Sequence, residues 1–139
     1  MASKVTGGCI CGVVRYEYSA EPFFAGNCHC RDCQRASGGA GAAVFGVPKA
    51  ALKITGPVKY HEVTGDSGQG IRREFCPTCG ARLVSFPSSN PDLATVAAGS
   101  LDDPSLYKPQ VDIYTSSAQP WDVMDPKLPK FPKMPPMGG

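Results

Sequence analysis

IRREFCPTCGARLVSF, residues 71–86, reads as a strand, a tight turn and a second strand, with two cysteines on the turn. Cys76 and Cys79 flank Pro77-Thr78 and are followed by Gly80. A cysteine pair on such a knuckle presents both sulfurs to one ion. Backbone N–H groups of the turn point at the sulfurs and offset their charge, and a glycine just after permits the positive φ that the turn needs. Cys9-Ile10-Cys11-Gly12 repeats the device near the N-terminus. Together the pairs supply four thiolates, a closed tetrahedral ligand set for zinc with Zn–S near ~2.3 Å. Such a site would tie the N-terminal strand to the hairpin, and structural zinc contributes on the order of 10 kcal/mol to folding. Two other readings are open. Cys76 and Cys79 alone could be a redox pair, although a thioredoxin-like motif opens a long helix and Gly80-Ala81-Arg82 leads into a strand pattern. A disulfide framework is the other, and it suits an oxidising compartment.

NCHCRDCQRASGG, residues 27–39, carries the remaining cysteines: Cys28, Cys30 and Cys33. Three thiolates from one loop bind one face of a zinc ion and leave a fourth position for exchange, the pattern of catalytic zinc. A divalent ion with three thiolates already carries a net negative charge and acidifies water weakly, which argues against simple hydrolysis. Zinc is thiophilic, however, and can hold and deprotonate an incoming thiol for attack on an electrophilic carbon such as an aldehyde. Alternatives for the fourth corner are His29, which should point away from its cysteine neighbours, and His61 on a neighbouring strand. The three cysteines could also be plain exposed thiols. Gln34, Ser37 and Gly38 follow the loop and are candidates to line the open corner, although a helix stop explains Ser37-Gly38-Gly39 equally well. Trp121 is a candidate pocket cover or a packed core residue.

The chain has 139 residues, 42% of them apolar, with 16 Gly, 14 Pro and a formal charge of +2. That length suits one domain, and so much Gly and Pro favours short strands and turns. The small charge gives no mark of a nucleic-acid surface, and Lys127, Lys130 and Lys133 form only a light basic tail. No apolar run approaches the roughly 20 residues of a spanning helix, and the N-terminus lacks the apolar stretch of a secretory signal. These features predict no membrane partner and a cytoplasmic location, where thiols stay reduced.

Strand patterns run over 13–18, 42–47, 51–55, 58–63, 71–75, 82–86, 93–99 and 110–115. Val14, Tyr16 and Tyr18 share one face of the first, and Val111 and Ile113 share one face of the last. Gly56-Pro57 marks a turn, and 58–75 reads as a hairpin with a flexible tip over 64–70. The segment 101–107 reads as a turn or one helical turn capped by Asp102 or Asp103 ahead of Pro104. A short helix over 31–37 should stop at Gly38-Gly39. Residues 1–124 form the predicted domain. The proline-rich tail 125–139 cannot continue a sheet and should wrap the surface or be mobile. The expected fold is mostly β, a single domain of short antiparallel sheets around a four-cysteine zinc site.

GGCICGVVRY (7–16), CHCRDCQRASG (28–38) and REFCPTCGARL (73–83) resemble the signature blocks of the glutathione-dependent formaldehyde-activating enzyme family, which includes centromere protein V. AAGSLDDP (97–104) and IYTSSAQPWDVMDPKLPKF (113–131) fit as well. The resemblance implies a tent of antiparallel sheets and two zinc ions per chain. It assigns Cys9, Cys11, Cys76 and Cys79 to a structural zinc, and Cys28, Cys30 and Cys33 to a second, catalytic one. It also implies a carbon–sulfur lyase activity that joins glutathione to formaldehyde as S-hydroxymethylglutathione. Glutathione would need cationic partners for its carboxylates, and Arg31, Arg35, Lys49, Arg72 and Arg73 are the candidates by proximity to the motifs. The rival function is a zinc-stapled binding module for protein or nucleic acid, with the tail or an exposed strand edge as its contact surface.

Overall fold

Short alternating segments, broken by glycine and proline, build two sheets. The structure is a computed structural model that describes residues 3–64 and 68–134. The smaller sheet has the order β1-β2-β5, from β1 (Val5–Gly8), β2 (Arg15–Tyr18) and β5 (Lys53–Thr55). The larger sheet begins with β10 (Val111–Ile113), β3 (Phe24–Cys28), β4 (Ala42–Pro48) and β9 (Leu93–Ala97). It continues through β8 (Arg82–Pro87), β7 (Gly70–Phe75) and β6 (Lys59–Thr64). All strand pairs are antiparallel except β10 with β3, which is parallel. The protein is mostly β, as the turn-rich composition predicts.

The alternation in 13–18 holds: Val14, Tyr16 and Tyr18 are buried, and they meet Phe45, Val47, Leu83, Val84 and Val96 in the core between the sheets. The expected hairpin forms, with Lys59 opposite Phe75 and Thr64 opposite Gly70. Of its tip, residues 65–67 lie outside the described residues. Gly56-Pro57 is a turn between sheets rather than within one, because β5 pairs with β2 while β6 pairs with β7. Strands β1 and β3 have no counterpart in the sequence reading. VTGG and FAGNC are glycine-bearing and carry a weak pattern, and pairing with neighbouring strands holds them in place.

Helix α1 (Arg31–Ser37) stops where expected, with Gly38 left-handed at φ 76. Asp103 caps the one-turn helix Pro104–Leu106, its carboxylate accepting from the Ser105 N–H at 3.2 Å. Asp102 instead pairs with Arg15 and accepts from Thr6 Oγ1 at 2.6 Å.

Two expectations change at β10. The face is reversed: Asp112 is 1% exposed, whereas Val111 and Ile113 are only half-buried. The inward side of this strand meets the polar side chains of Asn27 and His29, so it takes the carboxylate. The tail wraps the surface, and it also extends the sheet at one residue pair, since Lys130 bridges Asp112 in parallel register. The Asp112 N–H donates to the Pro129 carbonyl at 2.9 Å, and the Phe131 N–H donates to the Asp112 carbonyl at 3.0 Å. Proline lacks a donor but keeps its carbonyl, so a proline-rich strand still serves on an edge. Tail residues 135–139 lie outside the described residues. Among the described residues no helix is long and apolar enough to cross a membrane.

Leu83 is the largest of the fully buried side chains and sits where the two sheets close. Leu83→Ala is expected to cost about 2–5 kcal/mol, read as a lower urea midpoint. An unchanged midpoint would place the core elsewhere.

Candidate metal centres

The two knuckles are built alike. The Cys9 N–H donates to the Val14 carbonyl at 3.1 Å, and the Cys76 N–H to the Ala81 carbonyl at 3.0 Å. The Gly12 and Gly80 N–H groups close each turn on the Cys9 and Cys76 carbonyls, at 3.3 and 2.9 Å. Both glycines have the positive φ that the sequence predicts, 81° and 77°, a conformation that is strained for other residues. One knuckle joins β1 to β2 and the other joins β7 to β8, so the four sulfurs meet between the two sheets.

Those four sulfurs lie within 4.8 Å of one another. Cys9 and Cys11 are 3.6 Å apart, and Cys11 and Cys76 are 3.7 Å apart. Sulfurs bonded at ~2.3 Å to one tetrahedral ion would be about 3.8 Å apart, so the quartet fits zinc without rearrangement. The Val14 N–H points at Cys9 Sγ at 3.3 Å, and the Thr78 and Cys79 N–H groups point at Cys76 Sγ at 3.3 and 3.4 Å. These donors favour thiolates. Backbone N–H groups at Cys11 and Ala81 pull Cys79 down to about 6. Cys11 gains a stabilising N–H from Val13, but burial and the neighbouring sulfurs push it up to about 11. None of the seven cysteines is in a disulfide.

The second group is local. Cys28 ends β3, Cys30 caps α1 with its sulfur accepting from the Cys33 N–H at 3.2 Å, and Cys33 lies in the first turn. These sulfurs also lie within 4.8 Å of one another, and no fourth His, Cys, Asp or Glu joins them among the described residues. The donor set fits one face of a thiophilic ion. Hydrogen bonds from Cys28 and Cys30, helped by the charges of Arg73 and Arg82, pull Cys33 down to about 3 against the effect of burial. Cys28 is pushed up by Cys30, then by Cys33 and burial. One negative charge is therefore shared readily by the trio, and further ones need a cation.

The histidine alternatives do not reach the trio. His61 is exposed on β6, across from Arg73. His29 points away from its cysteine neighbours, as expected, with Nδ1 2.6 Å from Asp122 Oδ2 and Nε2 3.0 Å from Asp112 Oδ1. Both ring nitrogens are engaged. Burial would raise the Asp112 carboxyl, but His29, Asn27 and the Lys130 ammonium hold it below the usual range.

Gln34 is buried and its amide donates to the His29 carbonyl at 2.8 Å and the Ser117 carbonyl at 3.0 Å, so it staples the loop and is committed. Ser37 donates to the Gly41 carbonyl at 2.7 Å and serves the turn. Trp121 is 63% exposed and outside the core. Tyr114 packs against Cys28, Cys33 and Ala42 with a left-handed backbone at φ 56, a conformation that costs a bulky residue about 1–3 kcal/mol.

Of the candidate cations, Arg73 is buried and its charge reaches Cys33. Arg72, its neighbour on the opposite face of β7, stacks on Tyr60 at 3.7 Å and pairs with Glu74 at 3.2 Å. Lys49 lies over Phe86 at 5.0 Å, and Arg31 donates to Gln34 Oε1. Arg35 stands in the last turn of α1. The sequence reading missed Arg82, whose guanidinium is held low by burial and then by the like charge of Arg73. Among the described residues neither Arg73 nor Arg82 pairs with a carboxylate. A bulge between Glu74 and Phe75 shifts the β7–β8 register and sets Arg82 opposite Phe75. The periodicity of 71–75 and 82–86 already put Arg73 and Arg82 on strands leading into and out of the knuckle, the one signal available for the pair. Two surface grooves, of about 250 and 380 Å³, include no cysteine of the trio.

A crystal structure of a Rhodobacter sphaeroides protein, solved as a structural-genomics target, has the same fold. It is similar to this chain with a TM-score of 0.58 and 22% identity, over 90% of this chain and 98% of that one. The sequence profile of the glutathione-dependent formaldehyde-activating enzymes matches residues 4–117, a span that holds all seven cysteines. This chain belongs to the glutathione-dependent formaldehyde-activating enzyme family.

Proposed function

We propose that the protein is a two-zinc, cytoplasmic carbon–sulfur lyase that joins a carboxylate-bearing thiol such as glutathione to a small aldehyde such as formaldehyde, and cleaves the same adduct. Cys9, Cys11, Cys76 and Cys79 hold the structural ion, and Cys28, Cys30 and Cys33 hold the second. One observation carries the reading: a three-sulfur face without a fourth His, Cys, Asp or Glu among the described residues, in electrostatic reach of the buried Arg73 and the half-buried Arg82, neither of which pairs with a carboxylate there. When bound, the second zinc supplies thiol acidification and a fixed position for the sulfur.

The chain's own residues do the rest. Cys30 is anchored by the Cys33 N–H and the loop is stapled by Gln34, which keeps the three sulfurs together. Arg73 and Arg82 attract an anionic thiol and hold its carboxylate. In the forward step the S–H bond breaks, an S–C bond forms at the aldehyde carbon, and the carbonyl π pair moves to oxygen, which takes up the proton. The reverse returns both partners, and no oxidant or reductant is consumed.

The family membership and the trio favour an enzyme over a binding module. Titration with glutathione separates the two when followed by absorption of the cobalt-substituted protein. A change in the sulfur-to-metal bands supports the enzyme, and unchanged bands with saturating thiol support the module.

Cys33→Ser is expected to lower zinc from about two toward one per chain and to abolish adduct formation, with circular dichroism unchanged. Loss of folding would make the trio structural. Cys76→Ser should prevent stable folding, and a well-folded Cys76→Ser protein with one zinc would contradict the assignment of the quartet.

Arg73→Met removes a charged contact worth about 1.5–3 kcal/mol. The KM for glutathione should therefore rise roughly 10- to 100-fold, while the KM for an uncharged thiol such as 2-mercaptoethanol changes much less. Equal effects on both thiols would remove Arg73 from carboxylate recognition.

A further inference from the structure

The match to the family ends at residue 117, yet the buried groups behind the trio include residues beyond it. Asp122, with a side chain 5% exposed, holds His29 Nδ1 at 2.6 Å. Lys130 Nζ stands 3.3 Å from Asp112 Oδ2, an otherwise unpartnered buried oxygen, while also donating to the carbonyls of Asp125 and Leu128 at 2.5 and 2.9 Å. Asp112 holds the other nitrogen of the same imidazole. His29 lies between Cys28 and Cys30, so the two carboxylates fix the one residue that links two sulfurs of the trio.

The backbone adds to this arrangement. The His29 N–H donates to the Ile113 carbonyl at 3.0 Å, which ties the loop to β10. The tail runs along the outer edge of β10, where the Tyr114, Thr115 and Ser116 N–H groups donate to the carbonyls of Lys133, Phe131 and Pro132 at 3.3, 3.1 and 3.3 Å. The left-handed Tyr114 that packs on the trio is therefore held from outside by the tail. Gln119 donates to Gln34 Oε1 at 3.2 Å, on the far side of the same loop.

We infer that residues 119–133 act as a latch for the second metal site, with Asp122 and Lys130 as positioning residues that hold the His29 loop in its ion-binding shape. The inference rests on the reading of the trio as a metal site. A loop of six residues with three sulfurs has many shapes, and only some bring all three sulfurs to one ion. Fixing the intervening residue removes the others, so the ion leaves more slowly. Partners that orient ligating groups in this way typically change metal affinity 10- to 100-fold.

The test follows zinc release from the full chain into a chromogenic chelator. The trio's phase is identified by its absence in Cys33→Ser. Asp122→Asn should speed that phase roughly 10- to 100-fold and leave the quartet's phase unchanged. Lys130→Met should speed it by a smaller factor, and Lys130→Arg should restore the rate of the unaltered protein. The latch is overturned if the trio's phase is unmoved in both Asp122→Asn and Lys130→Met. It is equally overturned if both phases accelerate together with a lower melting temperature, because the tail then supports only the fold. Should Asp122→Asn fail to fold, the Lys130 pair decides alone. A protein with no trio phase at all refutes the metal reading itself, a result distinct from a trio phase that the tail does not affect.

Discussion

Four sulfurs from two sheets converge within 4.8 Å, and the rest of the molecule is arranged around that meeting. Cys11 and Cys76 are 65 positions apart in the chain. Closing so long a loop in the unfolded state is entropically expensive, and a cross-link over such a span contributes on the order of 4 kcal/mol by that route alone. The core it secures is thin, built mainly from Tyr16, Tyr18, Phe45, Leu83 and a few valines. A small domain with such a core needs a staple. The repeated hydrogen bonds of the two knuckles give each sulfur pair its direction before any ion arrives.

The trio has the opposite relation to the fold. Its sulfurs come from one loop of six residues, so an ion there closes almost no loop and adds little to global stability. What differs is the ligand count: no fourth His, Cys, Asp or Glu joins the trio among the described residues, whereas the quartet brings four sulfurs together. On the reading of both groups as metal sites, a long-range quartet would hold the sheets together and a short-range trio could lose its ion without unfolding, two consequences of sequence separation. That contrast underlies the different stability effects expected at the two sites.

The ligands were legible in the sequence because each sulfur pair or trio is set by spacings of a few residues, which local turn geometry fixes. The helix after the trio and the hairpin before the second knuckle were legible for the same reason. The support around the trio was not. Asp112 lies between Val111 and Ile113, and an alternating strand with apolar neighbours reads as burying them. The face is reversed because β3 brings Asn27 and His29 against β10. That parallel pairing joins residues 85 positions apart, and no local pattern announces it. Asp122 sits in a segment without strand or helix periodicity, and its role appears only when His29 is seen beside it. Arg82 opens a strand after a glycine turn and resembles any surface charge until the bulge at Glu74-Phe75 aligns it.

The charges at the trio bear on which thiols it admits. Three thiolates and a divalent ion carry one net negative charge, and an incoming thiolate would add a second. Repulsion would then oppose binding at the step that needs it. Arg73 and Arg82 supply two positive charges within electrostatic reach and, among the described residues, without carboxylates to neutralise them. Arginine keeps its charge under burial where lysine gives up a proton, so the compensation persists in the buried setting. With an ion on the trio, as proposed, the pair would turn its surroundings from net negative to net positive, and a bound thiolate would bring them to neutrality. Burial first, and then the like charge of Arg73, lowers the Arg82 guanidinium, and an anion beside the pair would offset both effects. On the proposed reading the pair compensates the charge of any bound thiolate, and discrimination in favour of glutathione falls to the contact between a guanidinium and its carboxylate.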